Sequence, residues 1–161
     1  MIVEYDKKYD EQIKDLLVEL QNYLIDIDDW HTQIMSPEYR EKTFEMDMRN
    51  VKIQNGKVFV SVENGVVNGV IIGAVNEKDE IDKLTNDCAK TGNVLELIVS
   101  KADRGKGTGK KLLEKIEEYF KQIKCARINI EVFGPNKRGL EFYEKNDYIV
   151  RDIIVSKRLG E

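Results

Sequence analysis

One stretch limits what this chain can become more than any other: Val94-Leu95-Glu96-Leu97-Ile98-Val99-Ser100-Lys101-Ala102-Asp103-Arg104-Gly105-Lys106-Gly107-Thr108-Gly109-Lys110-Lys111-Leu112-Leu113. From Val94 to Val99 it is apolar except for Glu96, the pattern of a strand inside a sheet. Beyond Gly107 the apolar residues Leu112, Leu113, Ile116, Tyr119, Phe120 and Ile123 share one helical face. Between strand and helix, Gly105, Gly107 and Gly109 leave backbone N–H groups unscreened by side chains. A helix N-terminus offers unpaired N–H groups and the positive end of a dipole, so it attracts anions. Arg104, Lys106, Lys110 and Lys111 add positive charge around it. The combination predicts a strand, a glycine-rich arc and a helix start that together cradle a pyrophosphate.

Spacing separates the loops that do this. A Walker A loop requires G-x-x-x-x-G-K-[ST]; here Arg104 stands five before Gly109 and Lys111 stands where Ser or Thr would hold Mg²⁺. The dinucleotide pattern G-x-G-x-x-G fits Gly105 and Gly107 but meets Lys110 at its third glycine. R-x-x-G-x-G does fit, through Arg104, Gly107 and Gly109. That pattern resembles the acyl-CoA loop of the GNAT superfamily of N-acyltransferases. A second segment strengthens the resemblance: Ile130-Glu131-Val132, then Asn136, then Phe142-Tyr143-Glu144-Lys145-Asn146-Asp147-Tyr148. It looks like the other signature of that family, a strand followed by an Asn and a helix carrying F-Y-E-K. The usual Leu-Gly-Phe turn is Asn146-Asp147-Tyr148 here, and the usual Ala after the Asn is Gly139, at a cost in helix propensity. The resemblance is close over residues 94 to 159 and rests on element order before that.

A length of 161 residues suits one domain with a full core, taken as 1–161. The hydrophobic fraction of 41% and charged fraction of 35% describe a globular chain, and a net charge of −4 argues against a general nucleic-acid binder. No run approaches the eighteen or so apolar residues of a membrane span, so no membrane partner is expected. Met1-Ile2-Val3-Glu4-Tyr5-Asp6 has no basic region, so no signal peptide is expected. Cys88 and Cys125 form no framework and no CxxC; reduced, inert thiols in the cytoplasm are the expectation. With His31 the single histidine, a metal site and a Ser-His-Asp triad are both disfavoured, and no metal is expected.

In chain order, Ile2 to Tyr5 reads as a strand, and Ile13, Leu16, Leu17, Leu20, Leu24 and Ile27 give a helix from about Lys8 to Asp26. Ser36-Pro37 starts a second helix as N-cap and first helical residue, with Tyr39, Phe44, Met48 and Val51 facing inward. Val58–Glu63 and Val66–Val75 form a hairpin on Asn64-Gly65, and the glycine-interrupted second run admits a bulge. Residues 77 to 92 read as loop. After the central strand and its helix come a strand over Ala126–Phe133, a helix over Asn136–Asn146 and a closing β-run over Tyr148–Leu159. This predicts an α/β (α+β) fold. The resemblance implies a mixed, mostly antiparallel sheet flanked by helices, whose strands at 94–100 and 126–133 are a splayed parallel pair joined by a helical crossover.

The resemblance also implies roles. Acetyl-CoA would lie between the parallel strands as cosubstrate, with its pyrophosphate on Arg104, Gly105, Lys106, Gly107, Thr108, Gly109 and Lys110. Backbone N–H groups over Leu97, Ile98 and Val99 would polarise the thioester, and Asn136 would hold the pantetheine arm unless it serves only as a helix N-cap. Tyr143 would protonate the leaving thiolate, the alternative being an aromatic packed on the sheet. For the base, Glu131 matches the position used by family members that acetylate protein N-termini, and it ranks ahead of Glu96. Glu96 is the lone charge in an apolar run, but family bases on this strand match Asn93 or Leu95, and alternation turns Glu96 away unless a bulge intervenes. A water relay stays open. Asp26, Asp28, Asp29 and Trp30 fall where the fold builds its acceptor side, and would favour a cationic amine; a solvated loop capping a helix is the plainer alternative, and His31 is a weaker base candidate. The activity implied is direct transfer of an acetyl group to a primary amine, on a small molecule or a peptide, in a ternary complex. The alternative is a CoA-binding regulatory module without chemistry. A homodimer stays open.

Overall fold

Asn64 and Gly65 take φ of 51° and 80°, the two left-handed residues that a type I′ turn requires. They fold β2 (Lys57–Glu63) back on β3 (Val66–Val75), as the sequence predicts. The computed structural model describes residues 1–87 and 89–160, so Cys88 lies outside the described residues. It divides into two compact units, Met1–Glu131 and Val132–Glu161.

The first unit holds a five-stranded sheet in the order β1-β2-β3-β4-β5. β1 (Ile2–Glu4), β2, β3 and β4 (Thr91–Val99) are mutually antiparallel, and β4 runs parallel to β5 (Arg127–Ile130). The parallel pair is joined by α4 (Thr108–Gln122), the crossover that such a pair demands. Its ladder spans only Thr91–Val94 against Arg127–Ile130. From Leu95 to Val99, β4 is paired with β3 alone among the described residues.

Helices cover both faces of this sheet. On one, α1 (Asp10–Asp26) and α2 (Tyr39–Ile53) bury Ile13, Leu16, Leu17 and Phe44 against Val58, Val60, Val70, Ile72 and Ile98. On the other, α4 buries Leu112, Leu113, Ile116 and Phe120. Glycine sets the distance of α4: a Cβ on Gly73 would come within 2.9 Å of Ile116 and Phe120, and one on Gly92 within 2.6 Å of the Phe120 ring. Two bulges interrupt the register. Ser61 pairs with Gly69 but Val62 with Val67, which leaves Asn68 as an extra residue in β3. Ile72 pairs with Glu96 but Gly73 with Val94, which leaves Leu95 as an extra residue in β4.

Several boundaries differ from the sequence reading. A 3-10 turn at Lys7–Tyr9 precedes α1, and α2 begins at Tyr39, so Ser36 and Pro37 lie in the turn before it, where the Ser36 carbonyl accepts from the Tyr39 N–H. Within the expected loop, α3 (Glu80–Thr85) forms because the Asp79 carboxylate caps it by accepting from the Asp82 N–H. In the second unit α5 (Lys137–Glu144) forms where expected. The closing β-run does not: residues 148–160 carry no regular structure, and Ile149, Ile153, Ile154, Val155 and Leu159 are exposed. Alternation at Ile149, Arg151, Ile153 and Val155 makes a strand only where another strand receives its backbone groups, and among the described residues none does. Among the described residues no helix is long and apolar enough to cross a membrane.

The Gly92 contact gives a direct check on the α4 face. Gly92→Ala should destabilise the protein by about 1–3 kcal/mol, since the new methyl meets a buried aromatic ring. Gly134→Ala, where a Cβ meets nothing within 4 Å, should change stability by about 0.5 kcal/mol or less. Urea unfolding of both variants reads the contrast; equal midpoints would contradict this packing.

Candidate active site

The glycine arc follows β4. Gly105 and Gly107 have φ of 77° and 81°, and nothing lies within 4 Å of a Cβ built at either. Both therefore need glycine for backbone conformation, and the space beside them is open. Gly107 is the N-cap of α4 and supplies no side-chain cap, so the N–H groups of Thr108, Gly109 and Lys110 meet no capping side chain. Lys110 stands 4.0 Å from Glu114, and Lys106 is drawn to Asp103 at 2.8 Å.

Arg104 is tied into the protein at the start of the arc. Its Nε donates to the Val99 carbonyl at 3.0 Å, its guanidinium lies 5.6 Å from the Tyr23 ring centre, and it reaches Glu19 at 3.5 Å. The same Glu19 carboxylate accepts from the Lys101 N–H at 2.7 Å. The bulged Asn68 contributes its carbonyl to the Ser100 N–H at 2.9 Å. α1 and β3 thus pin both sides of the turn that leads into the arc.

Glu96 is where register changes chemistry. Its partner Ile72 belongs to the core under α1 and α2, so Glu96 points to that face. Leu95, the extra residue, also packs against that core, whereas Gly73, opposite Val94, faces α4. The bulge that alternation left open is present, and it sets Leu95 and Glu96 on one side. Burial first, and then the charge of Asp47, push the Glu96 carboxyl up to about 8. Asp47 sits on α2, is 8% exposed, and its Oδ2 has no hydrogen-bond partner. Burial alone pushes its carboxyl up to about 6. Tyr39, two turns earlier on α2, is hydrogen-bonded to Thr43; burial, then the fields of Glu96 and Asp47, raise its phenol to about 12. Sequence reasoning missed Asp47. The signal was there, because Phe44, Asp47 and Val51 follow helical spacing and place an acid on the inward face.

Glu131 lies one residue past β5 and is exposed. In the second unit, the Asn136 Oδ1 accepts from the Gly139 N–H at 3.0 Å and caps α5. A Cβ at residue 139 would lie 2.5 Å from the Asn136 Nδ2, which explains glycine at that position. Tyr143 is buried, with its ring edge-on to Phe142 at 5.2 Å and to Tyr148 at 5.7 Å.

The acidic loop after α1 divides. Asp28 is buried and accepts from the N–H groups of Trp30 (3.0 Å), Thr32 (2.6 Å) and Gln33 (2.7 Å) and from the Thr32 hydroxyl (2.8 Å). Burial opposes its charge, but these bonds outweigh burial and hold the carboxyl at about 2. Asp28 therefore closes the loop, with its oxygens already committed. Asp26, Asp29, Trp30 and His31 are exposed around it. Burial pushes the Cys125 thiol up, away from reactivity.

Comparison with known proteins agrees with this geometry. The model of the Acetyltransferase (GNAT) family matches residues 24–148. Over 75 residues the chain is 31% identical to the glucosamine 6-phosphate N-acetyltransferase of Arabidopsis thaliana, covering 47% of this chain and 48% of that protein. The chain thus spans about half the length of the curated relative it matches. The crystal structure of glucosamine-6-phosphate N-acetyltransferase from the same plant superposes with a TM-score of 0.61 at 21% identity, over 99% of this chain and 98% of that one. A mutant of a Bacillus halodurans protein gives 0.80 at 18% identity, over 99% of both chains. An aminoglycoside N-acetyltransferase in complex with CoA gives 0.71 at 12% identity, over 99% of both. At such identities the structural likeness speaks for the fold. The family match covers well over half of the chain, and on that ground the chain belongs to the GNAT acetyltransferase family.

Proposed function

We propose that the chain is a single-domain acyl-CoA N-acyltransferase that moves an acetyl group to a primary amine by direct attack, with Glu96 as general base. The observation that carries this reading is the bulge at Leu95, which turns Glu96 to the α2 face. The arc fits acyl-CoA: two left-handed glycines border open space at an uncapped helix start, and Lys106, Lys110 and Lys111 bring positive charge. Lys111 and Gly109 complete the cradle with Thr108, and Arg104 braces it from behind. The aminoglycoside enzyme of similar fold, solved with CoA, supports the same donor.

Bound acyl-CoA supplies an activated thioester and a thiol leaving group. The chain does the rest. Glu96 takes one proton from the ammonium of the acceptor, freeing the nitrogen lone pair to bond the carbonyl carbon. N–H groups on the unpaired edge of β4, over Leu97, Ile98 and Val99, hold the carbonyl oxygen as it gains charge. As the carbon–sulfur bond breaks, the sulfur takes a phenol proton and the second nitrogen proton restores the phenol; the match of the F-Y-E-K segment to the family motif gives this role to Tyr143. Glu131, exposed beyond β5, is placed second to Glu96 in this reading. Asn136, whose oxygen caps α5, is given the pantetheine arm by its match to the family motif.

Two variants test this. Gly109 lies inside α4, so Gly109→Glu keeps a helical backbone and sets an acid in a first turn that favours one. Its fold should persist while acetyl-CoA affinity, read by calorimetry, falls at least about tenfold; a folded variant with wild-type affinity would remove the cradle. For the base, kcat/KM should rise with pH until Glu96 is ionised, near 8. Glu96→Gln should lower kcat by about a hundredfold and abolish that limb. The same substitution has a stability signature. The folded state binds the Glu96 proton more tightly than the unfolded chain, whose carboxyl titrates near 4.5, so stability is lost as pH rises from 4.5 through 8. Glu96→Gln should flatten that decline, with little change below pH 4. A variant that keeps both the activity limb and the decline would return Glu96 to simple packing.

A further inference from the structure

Asp47 and Glu96 form a pair of carboxylates on facing elements, α2 and β4, that makes no ion pair among the described residues. The groups that share their fields are Tyr39, on α2 with Asp47, and each other. One oxygen of Asp47 is buried with no hydrogen-bond partner, in a side chain that is 8% exposed. A buried carboxylate without a counter-charge is unfavourable. Elsewhere the protein resolves this cost: the buried Asp28 receives four hydrogen bonds. Tyr39 and Thr43 bond each other and leave the acids alone.

Resting on the acyltransferase reading, we infer that Asp47 is the acceptor-selecting residue: with Glu96 it receives the ammonium of a purely cationic amine and rejects an amine that carries a phosphate or carboxylate. The two acids divide the work. Asp47, the more readily ionised, stays charged near neutrality and holds the ammonium in place. Glu96, which holds its proton longer, gives it up to solvent water as the cation enters and so becomes the base. An incoming anion meets the like charge of Asp47, which no ion pair among the described residues offsets, so discrimination is by repulsion as well as attraction. The acidic loop, with Asp28 committed to its own backbone, leaves this task to Asp47. A sugar phosphate, the acceptor named for the Arabidopsis relative, is therefore of the wrong charge for this site.

The test uses 1,4-diaminobutane as the cationic probe and glucosamine 6-phosphate as the amine with an anion. Calorimetry without acetyl-CoA should show the diamine binding the full chain and the sugar phosphate binding at least about tenfold more weakly. Asp47→Asn keeps the shape and removes the charge; it should weaken the diamine about tenfold and narrow the gap between the probes. Asp47→Glu should recover part of the loss. Where the diamine is acetylated, Asp47→Asn should raise its KM by more than it lowers kcat. Equal binding of both probes, no binding of the diamine, or an unchanged diamine affinity in Asp47→Asn would overturn the inference. Acetyl-CoA affinity is measured on the same samples: its absence in the wild type counts against the acyltransferase reading, whereas its presence beside a failed diamine test counts against Asp47 alone.

Discussion

The extra residue at Leu95 in β4 is the constraint on which the rest of the site depends. A strand alternates its side chains between faces, and without an insertion Glu96 and Val94 would share a side. The bulge breaks that relation within the span of two residues. Below it, Gly92 and Val94 belong to the α4 face, where small residues let the helix approach. Above it, Glu96 and Ile98 belong to the face of α1 and α2. The β5 ladder ends at Val94, the residue just before the insertion. One local irregularity thus coincides with the unpairing of a strand edge and the inward turn of its only acid.

The turn beyond β4 is held by side chains that sequence patterns assign elsewhere. Glu19, on the surface of α1, takes both the Lys101 N–H and the Arg104 guanidinium. Arg104 in turn closes on the Val99 carbonyl, so its charge is partly spent inside the protein. Positioning of a binding loop by packed and hydrogen-bonded neighbours is what keeps its geometry fixed before a ligand arrives. In the proposed cradle the lysines at 106, 110 and 111 would supply field, and the backbone shape.

Much of the fold was legible because its signals are local. Asn64-Gly65 specifies a turn by backbone chemistry alone, α1 declares itself through Ile13, Leu16, Leu17 and Leu20, and the parallel pair follows from a helix between two apolar runs. What was not legible depends on partners. A bulge is a property of two strands, so Leu95 and Glu96 carry no mark of it in their own sequence. Motif position, by which Glu131 ranked first for the base, is visible in the sequence; its exposure beyond β5 is not. Asp28 read as a charge offered to a cationic acceptor or to solvent, and only the folded loop shows four donors around it. Tyr148–Leu159 had the right alternation and no strand to receive it. Ser36-Pro37 carried the chemistry of a helix start, yet the turn it makes delays α2 to Tyr39.

Glu96 stands at the centre of the account, and its ionisation can be watched without any substrate. Carbon NMR of the Glu96 carboxyl, assigned by comparison with Glu96→Gln, gives the titration midpoint directly. A midpoint near 8 is the result this structure predicts, since the bulge buries the acid beside Asp47. A midpoint near the ordinary 4.5 would mean that Glu96 faces water, and would contradict both the bulge and the base built on it.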